Sequence, residues 1–110
     1  MSIEPLKTNA AKDTVSVDDL CKKFTDKTAV VGVLGLGYVG IPLAHAVCEK
    51  GMRVLGFDID QKKIDQIEND ISYIGAVESA SIAKHRSNNL LDVTSDEMRL
   101  SEADALLMCV

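Results

Sequence analysis

At 110 residues, with 46% hydrophobic and 26% charged side chains, the chain is long enough for one domain or part of one and has an ordinary globular composition. Two Tyr, two Phe and no Trp leave an aliphatic core. A net charge of −5 excludes a duplex nucleic acid or an anionic membrane as partner unless a basic patch compensates, and Lys22-Lys23 and Lys62-Lys63 are too short to make one.

Residues 1–28 read as a flexible lead-in, with one short helix over 17–24 that has Asp18 and Asp19 in its first turn and Lys22 and Lys23 at its end. Residues 29–34 form an apolar, β-branched run without alternation, the pattern of a strand buried on both faces. A glycine loop follows, and then Val39, Leu43, Ala46 and Val47 fall on one face of a helix. Pro42 is tolerated in its first turn, and Lys50-Gly51 stops it. Residues 53–57 are a second strand ending at Asp58. Asp60 caps a second helix whose inner face is Ile64, Ile67 and Ile71. A loop over 70–77, a helix over 78–86, Asn88-Asn89 and a third strand over 90–93 come next. Thr94 and Glu97 have capping-box spacing for a short helical turn, and residues 105–110 read as a fourth buried strand. The alternation predicts an α/β fold: a Rossmann-type parallel sheet, β-α-β-α-β-α-β, over 29–110. Because a doubly wound sheet needs a helix after the last strand, the domain is expected to be incomplete, with an exposed strand edge.

The loop Gly35-Leu36-Gly37-Tyr38-Val39-Gly40 has GxGxxG spacing, weak evidence alone. Its context strengthens it: a strand before, a helix after, and Asp58 closing the next strand 18 residues beyond Gly40. Gly35 permits the tight turn, Gly37 lets the backbone approach a pyrophosphate, and Gly40 lets the helix pack on the strand. Free N–H groups and the helix dipole then favour the phosphates. Asp58 accepts from an adenosine ribose and repels a 2′-phosphate, which predicts NAD rather than NADP. Lys63, in the first turn of the second helix, reaches the ribose edge or a phosphate, or is simply a solvated surface lysine.

The string Val31-Gly32-Val33-Leu34-Gly35-Leu36-Gly37-Tyr38-Val39-Gly40-Ile41-Pro42-Leu43-Ala44 resembles the opening of the UDP-glucose/GDP-mannose dehydrogenase family. Gly56-Phe57-Asp58-Ile59-Asp60, Ser72-Tyr73-Ile74 and Ser101-Glu102-Ala103-Asp104-Ala105 extend the resemblance over residues 18–110, closest to the branch that acts on UDP-N-acetylhexosamines. It implies oxidation of the C6 alcohol of a nucleotide sugar to a carboxylate with two NAD+, through a cysteine-bound intermediate. It also implies that Gly35, Leu36, Gly37, Tyr38, Val39, Gly40, Asp58, Lys63 and Val110 contact NAD. The catalytic cysteine and its lysine and asparagine helpers match nothing here, so no catalytic residue is expected and the chain alone should not turn over substrate. Many relatives carry an acidic residue after the position of Tyr73; here Ile74-Gly75-Ala76-Val77 is neutral, which leaves the sugar open.

The remaining reactive side chains read as bland. Cys21, Cys48 and Cys109 form no CxxC pair, their odd number argues against a disulfide framework, and Cys109 reads as a small buried hydrophobe. Free thiols, the lack of a secretion signal and the lack of a membrane span place the protein in the cytoplasm. His45 lies opposite the apolar face of its helix, His85 sits between Lys84 and Arg86, and histidines in unrelated settings predict no metal. A homo-oligomer with a nucleotide-sugar substrate is expected. Two rival readings stay open: another Rossmann dehydrogenase of the 3-hydroxyacid or 6-phosphogluconate type, and a non-catalytic NAD-sensing module.

Overall fold

A computed structural model of the chain describes residues 17–109. Its elements run α1 (Val17–Thr25), β1 (Val30–Leu34), α2 (Gly40–Glu49), β2 (Arg53–Phe57), α3 (Gln61–Glu68), α4 (Ser79–Ser87), β3 (Leu91–Thr94), a 3-10 helix (Glu97–Glu102) and β4 (Ala105–Met108). The four strands form one parallel sheet in the order β3-β2-β1-β4. This is the predicted Rossmann-type architecture. Two steps in one direction, from β1 to β3, are followed by a jump back across β1, which makes the carboxyl ends of β1 and β4 a topological switch point.

The core is aliphatic, as the composition requires. Val31 and Val33 of β1, Val54 and Leu55 of β2, and Leu91 and Val93 of β3 are buried. Helix α2 packs on β1, β2 and α4, while α3 and α4 pack on β3. Right-handed crossovers put the helices that follow β1 and β2 on one face. The connection from β3 to β4 returns over the other, with the 3-10 helix touching β2. The expected cover on both faces is therefore uneven among the described residues.

Four local expectations are corrected. The buried face of α2 is Gly40, Ile41, Ala44 and Cys48, whereas Val39 and Ala46 are exposed. Both sets have helical spacing, and the tight approach of Gly40 to Gly35 selects this one. Ile71 is exposed because α3 ends at Glu68 and Asp70, with φ of 60°, turns the chain away from the helix axis. Thr94 closes β3 and does not cap the next helix; Asp96 does, accepting from the Met98 N–H at 2.9 Å. Residues 105–108 form an edge strand that is not buried on both faces: among the described residues nothing covers the face that carries Leu106 and Met108, which stand exposed. Other signals hold: the Asp60 side chain caps α3 through the Lys62 N–H at 3.0 Å, and Asn89 takes the left-handed turn after α4 with φ of 58°.

Helix α1 is tied to the sheet. Lys23 Nζ lies 3.0 Å from Asp104 Oδ1, and Asp104 Oδ2 accepts the Val30 N–H at 2.8 Å. One carboxylate thus joins the lead-in helix to the start of β1.

Candidate cofactor site

The glycine loop leaves β1 at the switch point. Gly35 donates its N–H to the Phe57 carbonyl at 2.8 Å and then turns with φ of 95°, a conformation that an L side chain resists. A Cβ on Gly40 would stand 1.7 Å from the Gly35 carbonyl oxygen, far inside any contact distance. A Cβ on Gly37 would meet nothing within 4 Å. The glycines therefore divide: Gly35 and Gly40 allow the loop to form, while Gly37 keeps the space above it clear. Among the described residues, the N–H groups of Gly37, Tyr38 and Val39 find no backbone acceptor, and the N-cap Val39 has no side chain able to cap α2. These donors lie at the positive end of the helix dipole.

Leu36 holds the loop in place. Its side chain is fully buried. Its N–H donates to Asp58 Oδ2 at 2.9 Å, and its carbonyl accepts from the Tyr73 hydroxyl at 2.6 Å. Leu36, predicted as a cofactor contact, thus packs its side chain into the core and has both backbone polar groups engaged within the protein. Tyr73 is a site residue that sequence reasoning missed: Ser72-Tyr73-Ile74 stood out only as part of a resemblance, and no local rule says that a loop tyrosine crosses to the glycine turn.

Asp58 closes β2 and is nearly buried. Burial by itself would raise its carboxyl, but N–H bonds from Leu36 and Asp60 and the Lys63 ammonium outweigh it and hold the group below the usual carboxylate value. Its Oδ1 accepts from Asp60 N–H at 2.8 Å, and Lys63 Nζ is 3.7 Å from Oδ2. A carboxylate has about four lone-pair sites. Two are taken by N–H groups and a third faces Lys63, which leaves capacity for a hydroxyl ligand. Lys63 is therefore an ion-pair partner of the predicted acid and not a free surface lysine. Burial, with Asp58 and Asp60 adding to it, raises the Tyr73 hydroxyl, which keeps it protonated as the donor to Leu36.

Tyr38 is 87% exposed and Val39 is 64% exposed, both standing clear over the loop. Val110 lies outside the described residues. Cys109 donates its N–H to Leu34 O at 2.7 Å at the carboxyl end of β4 and packs against the core. Burial pushes the Cys48 thiol up to about 12, which suits a core residue and not a nucleophile. A cleft of about 530 Å³ opens at the opposite, amino-terminal edge of the sheet, where Arg86 and Arg99 are spent on Asp70, Asp92 and Glu102. The glycine loop and Asp58 are absent from its lining.

The histidines correct the sequence reading. His85 is buried and not solvated, and its Nε2 lies 2.9 Å from His45 Nδ1, so the two settings are one. The pair joins α2 to α4, away from the glycine loop.

The profile of the UDP-glucose/GDP-mannose dehydrogenase family's NAD binding domain matches residues 29–110. The chain belongs to this family. A UDP-N-acetyl-D-mannosamine dehydrogenase of Methanococcus maripaludis is 36% identical over 80 residues, 71% of this chain and 18% of that protein. The Escherichia coli K12 protein of the same name is 38% identical over 56 residues, 51% of this chain and 13% of its own. Among solved structures, a GDP-mannose dehydrogenase of Pseudomonas aeruginosa in a ternary complex superposes with a TM-score of 0.66 at 32% identity, covering 73% of this chain and 19% of that one. The UDP-D-ManNAc dehydrogenase of Pyrococcus horikoshii gives a TM-score of 0.67 at 30% identity, covering 74% and 20%. The chain spans between 13% and 20% of the length of these relatives. The family's cofactor is NAD, and the open space at Gly37 beside the loop N–H donors fits a pyrophosphate. Among the described residues, no helix is long and apolar enough to cross a membrane.

Proposed function

We propose that this chain provides the NAD-binding domain of a nucleotide-sugar 6-dehydrogenase acting on a UDP-N-acetylhexosamine. The observation that carries the reading is the loop clamped at Leu36, with Gly37 open above it and the ionised Asp58 beside it. The N–H groups of Gly37, Tyr38 and Val39 bind the pyrophosphate at the start of α2. Asp58 accepts a ribose hydroxyl with its remaining lone pair, and its charge disfavours a 2′-phosphate. Lys63 fixes the orientation of that carboxylate, Tyr38 and Val39 flank the dinucleotide, and Val110 adds a further cofactor contact. Bound NAD+ supplies the hydride acceptor. The residues of this chain bind and orient the oxidant, and the capture and hydrolysis of the oxidised sugar belong to other parts of the enzyme. Names shared among relatives support the UDP-N-acetylhexosamine class, while the neutral loop after Tyr73 leaves the particular sugar to experiment. Three unpaired thiols suit a cytoplasmic protein.

The test is a full-length protein carrying this chain, assayed for NADH release against a panel of UDP-sugars, beside NAD titration of the 110-residue chain alone. The expected result is about two NADH per UDP-N-acetylhexosamine oxidised, and binding without turnover by the chain alone. No NADH from any UDP-sugar, or NAD reduction by the chain itself, would overturn the reading.

A further inference from the structure

We infer that His45, Glu49 and His85 form a binding site for one divalent cation of the zinc class, bridging α2 and α4. One donor atom from each residue lies within 4.8 Å of the other two. His45 and Glu49 stand one turn apart on α2, which puts both on one face, and His85 projects from α4 against them. His45 Nδ1 and His85 Nε2 are 2.9 Å apart. Two nitrogens on one tetrahedral zinc, each at about 2.0–2.1 Å, sit roughly 3.3 Å apart, so the pair needs to open by only a few tenths of an ångström. Glu49 Oε1 is 3.8 Å from His45 Nε2, the ring nitrogen turned away from His85, so its carboxylate, 48% exposed, has to swing toward Nδ1 to join the shell. Lys84 holds the other oxygen at 3.7 Å and releases it without leaving a buried charge, since it is 63% exposed. Two imidazoles and a carboxylate, with water completing the shell, are the ligand chemistry of zinc and of cobalt(II) as its probe.

The pair without a cation is poorly accounted for. His85 is 2% exposed, and its Nδ1 is buried with no hydrogen-bond partner. A single neutral hydrogen bond to His45 returns less than an unpaired buried nitrogen costs. Coordination through Nε2 would supply a reason for a histidine at this position, while Nδ1, on the other side of the ring, has no partner with or without the ion. The cluster does not touch the glycine loop, so the inference does not depend on the cofactor reading.

The experiment is titration of the reduced, metal-free 110-residue chain with Co2+, following visible ligand-field absorption, and with Zn2+, following the melting temperature. The expected result is saturation at one ion per chain without a thiolate charge-transfer band, and a zinc-dependent rise in melting temperature. His45→Gln and Glu49→Gln, both at half-exposed positions that should preserve the fold, should each weaken binding at least about tenfold, the loss typical of even an outer-shell ligand partner. Absence of saturable binding, unchanged affinity in both variants, or a thiolate band placing the ion on cysteine would each overturn the proposal.

Discussion

Tyr73 donates its hydroxyl to the Leu36 carbonyl at 2.6 Å, joining the loop after α3 to the glycine turn after β1. Because Asp58 accepts from the N–H of the same residue, both polar groups of Leu36 are fixed before any ligand arrives. Tyr73→Phe keeps the ring and leaves a part-buried carbonyl unpaired. A net hydrogen bond of this kind is worth about 1 kcal/mol. If that order is spent on shaping the loop, the Kd for NAD rises about fivefold. Calorimetric titration of NAD checks this, and an unchanged Kd would show that the tyrosine only packs.

The glycines should respond in opposite ways. Gly40→Ala forces a Cβ into the Gly35 carbonyl, which is backbone and cannot swing aside. Stability should fall by several kcal/mol, on the order of other severe overpacking or strain effects. Gly37→Ala adds a methyl in open space, so the melting temperature of the ligand-free chain should hardly move. NAD affinity should still drop at least about tenfold, since the methyl occupies the region where the pyrophosphate approaches the backbone. Thermal melts with and without NAD separate the two, and equal melting temperatures for both variants would contradict the division.

The skeleton of this site was legible because its signals are local. The unbroken apolar run before Gly35, the helix spacing after Gly40 and the acid at Asp58 each depend on a few neighbouring residues, and the parallel order follows from their alternation. What sequence reasoning missed depends on contacts between distant segments. Tyr73 finds Leu36 across 37 residues, and His45 finds His85 across 40. The buried face of α2 was ambiguous for a related reason. Ile41, Ala44 and Cys48 compete with Leu43 and Val47 at equivalent spacing, and only the Gly40–Gly35 approach decides between them. The burial of Leu36 was not legible because a motif position says that the backbone turns near a ligand, not where the side chain goes.

Asp58 should control both acid stability and cofactor choice. Its folded carboxyl titrates below the unfolded value of about 3.9, so its contribution is fully present above that pH and is lost as the pH falls through the lower folded value. Asp58→Asn should therefore be less stable at neutral pH and show a flatter loss of stability in acid. The same change removes the charge that disfavours a 2′-phosphate, so the ratio of NADP to NAD affinity should rise about tenfold, as removal of one unfavourable charge contact allows. Denaturation at pH 7 and pH 3.5, together with paired titrations, reads both effects. An unaltered cofactor ratio would remove Asp58 from the ribose.

Asp104 and Lys23 should prove unequal partners although they form one ion pair. Asp104 is held below the ordinary carboxylate value first by the Val30 N–H and then, against the opposing effect of burial, by Lys23. The Lys23 side chain is 39% exposed, so solvent screens the pair and Lys23→Met should cost less than about 1 kcal/mol. Asp104→Asn weakens a charge-assisted bond to the backbone that starts β1 and should cost about 1–2 kcal/mol. Because the folded pKa is depressed, that contribution also exists only above the unfolded carboxylate value and disappears in acid. Urea denaturation of both variants at pH 7 checks the order. A larger loss from Lys23→Met than from Asp104→Asn would mean that the lead-in helix, not the backbone bond, gives Asp104 its worth.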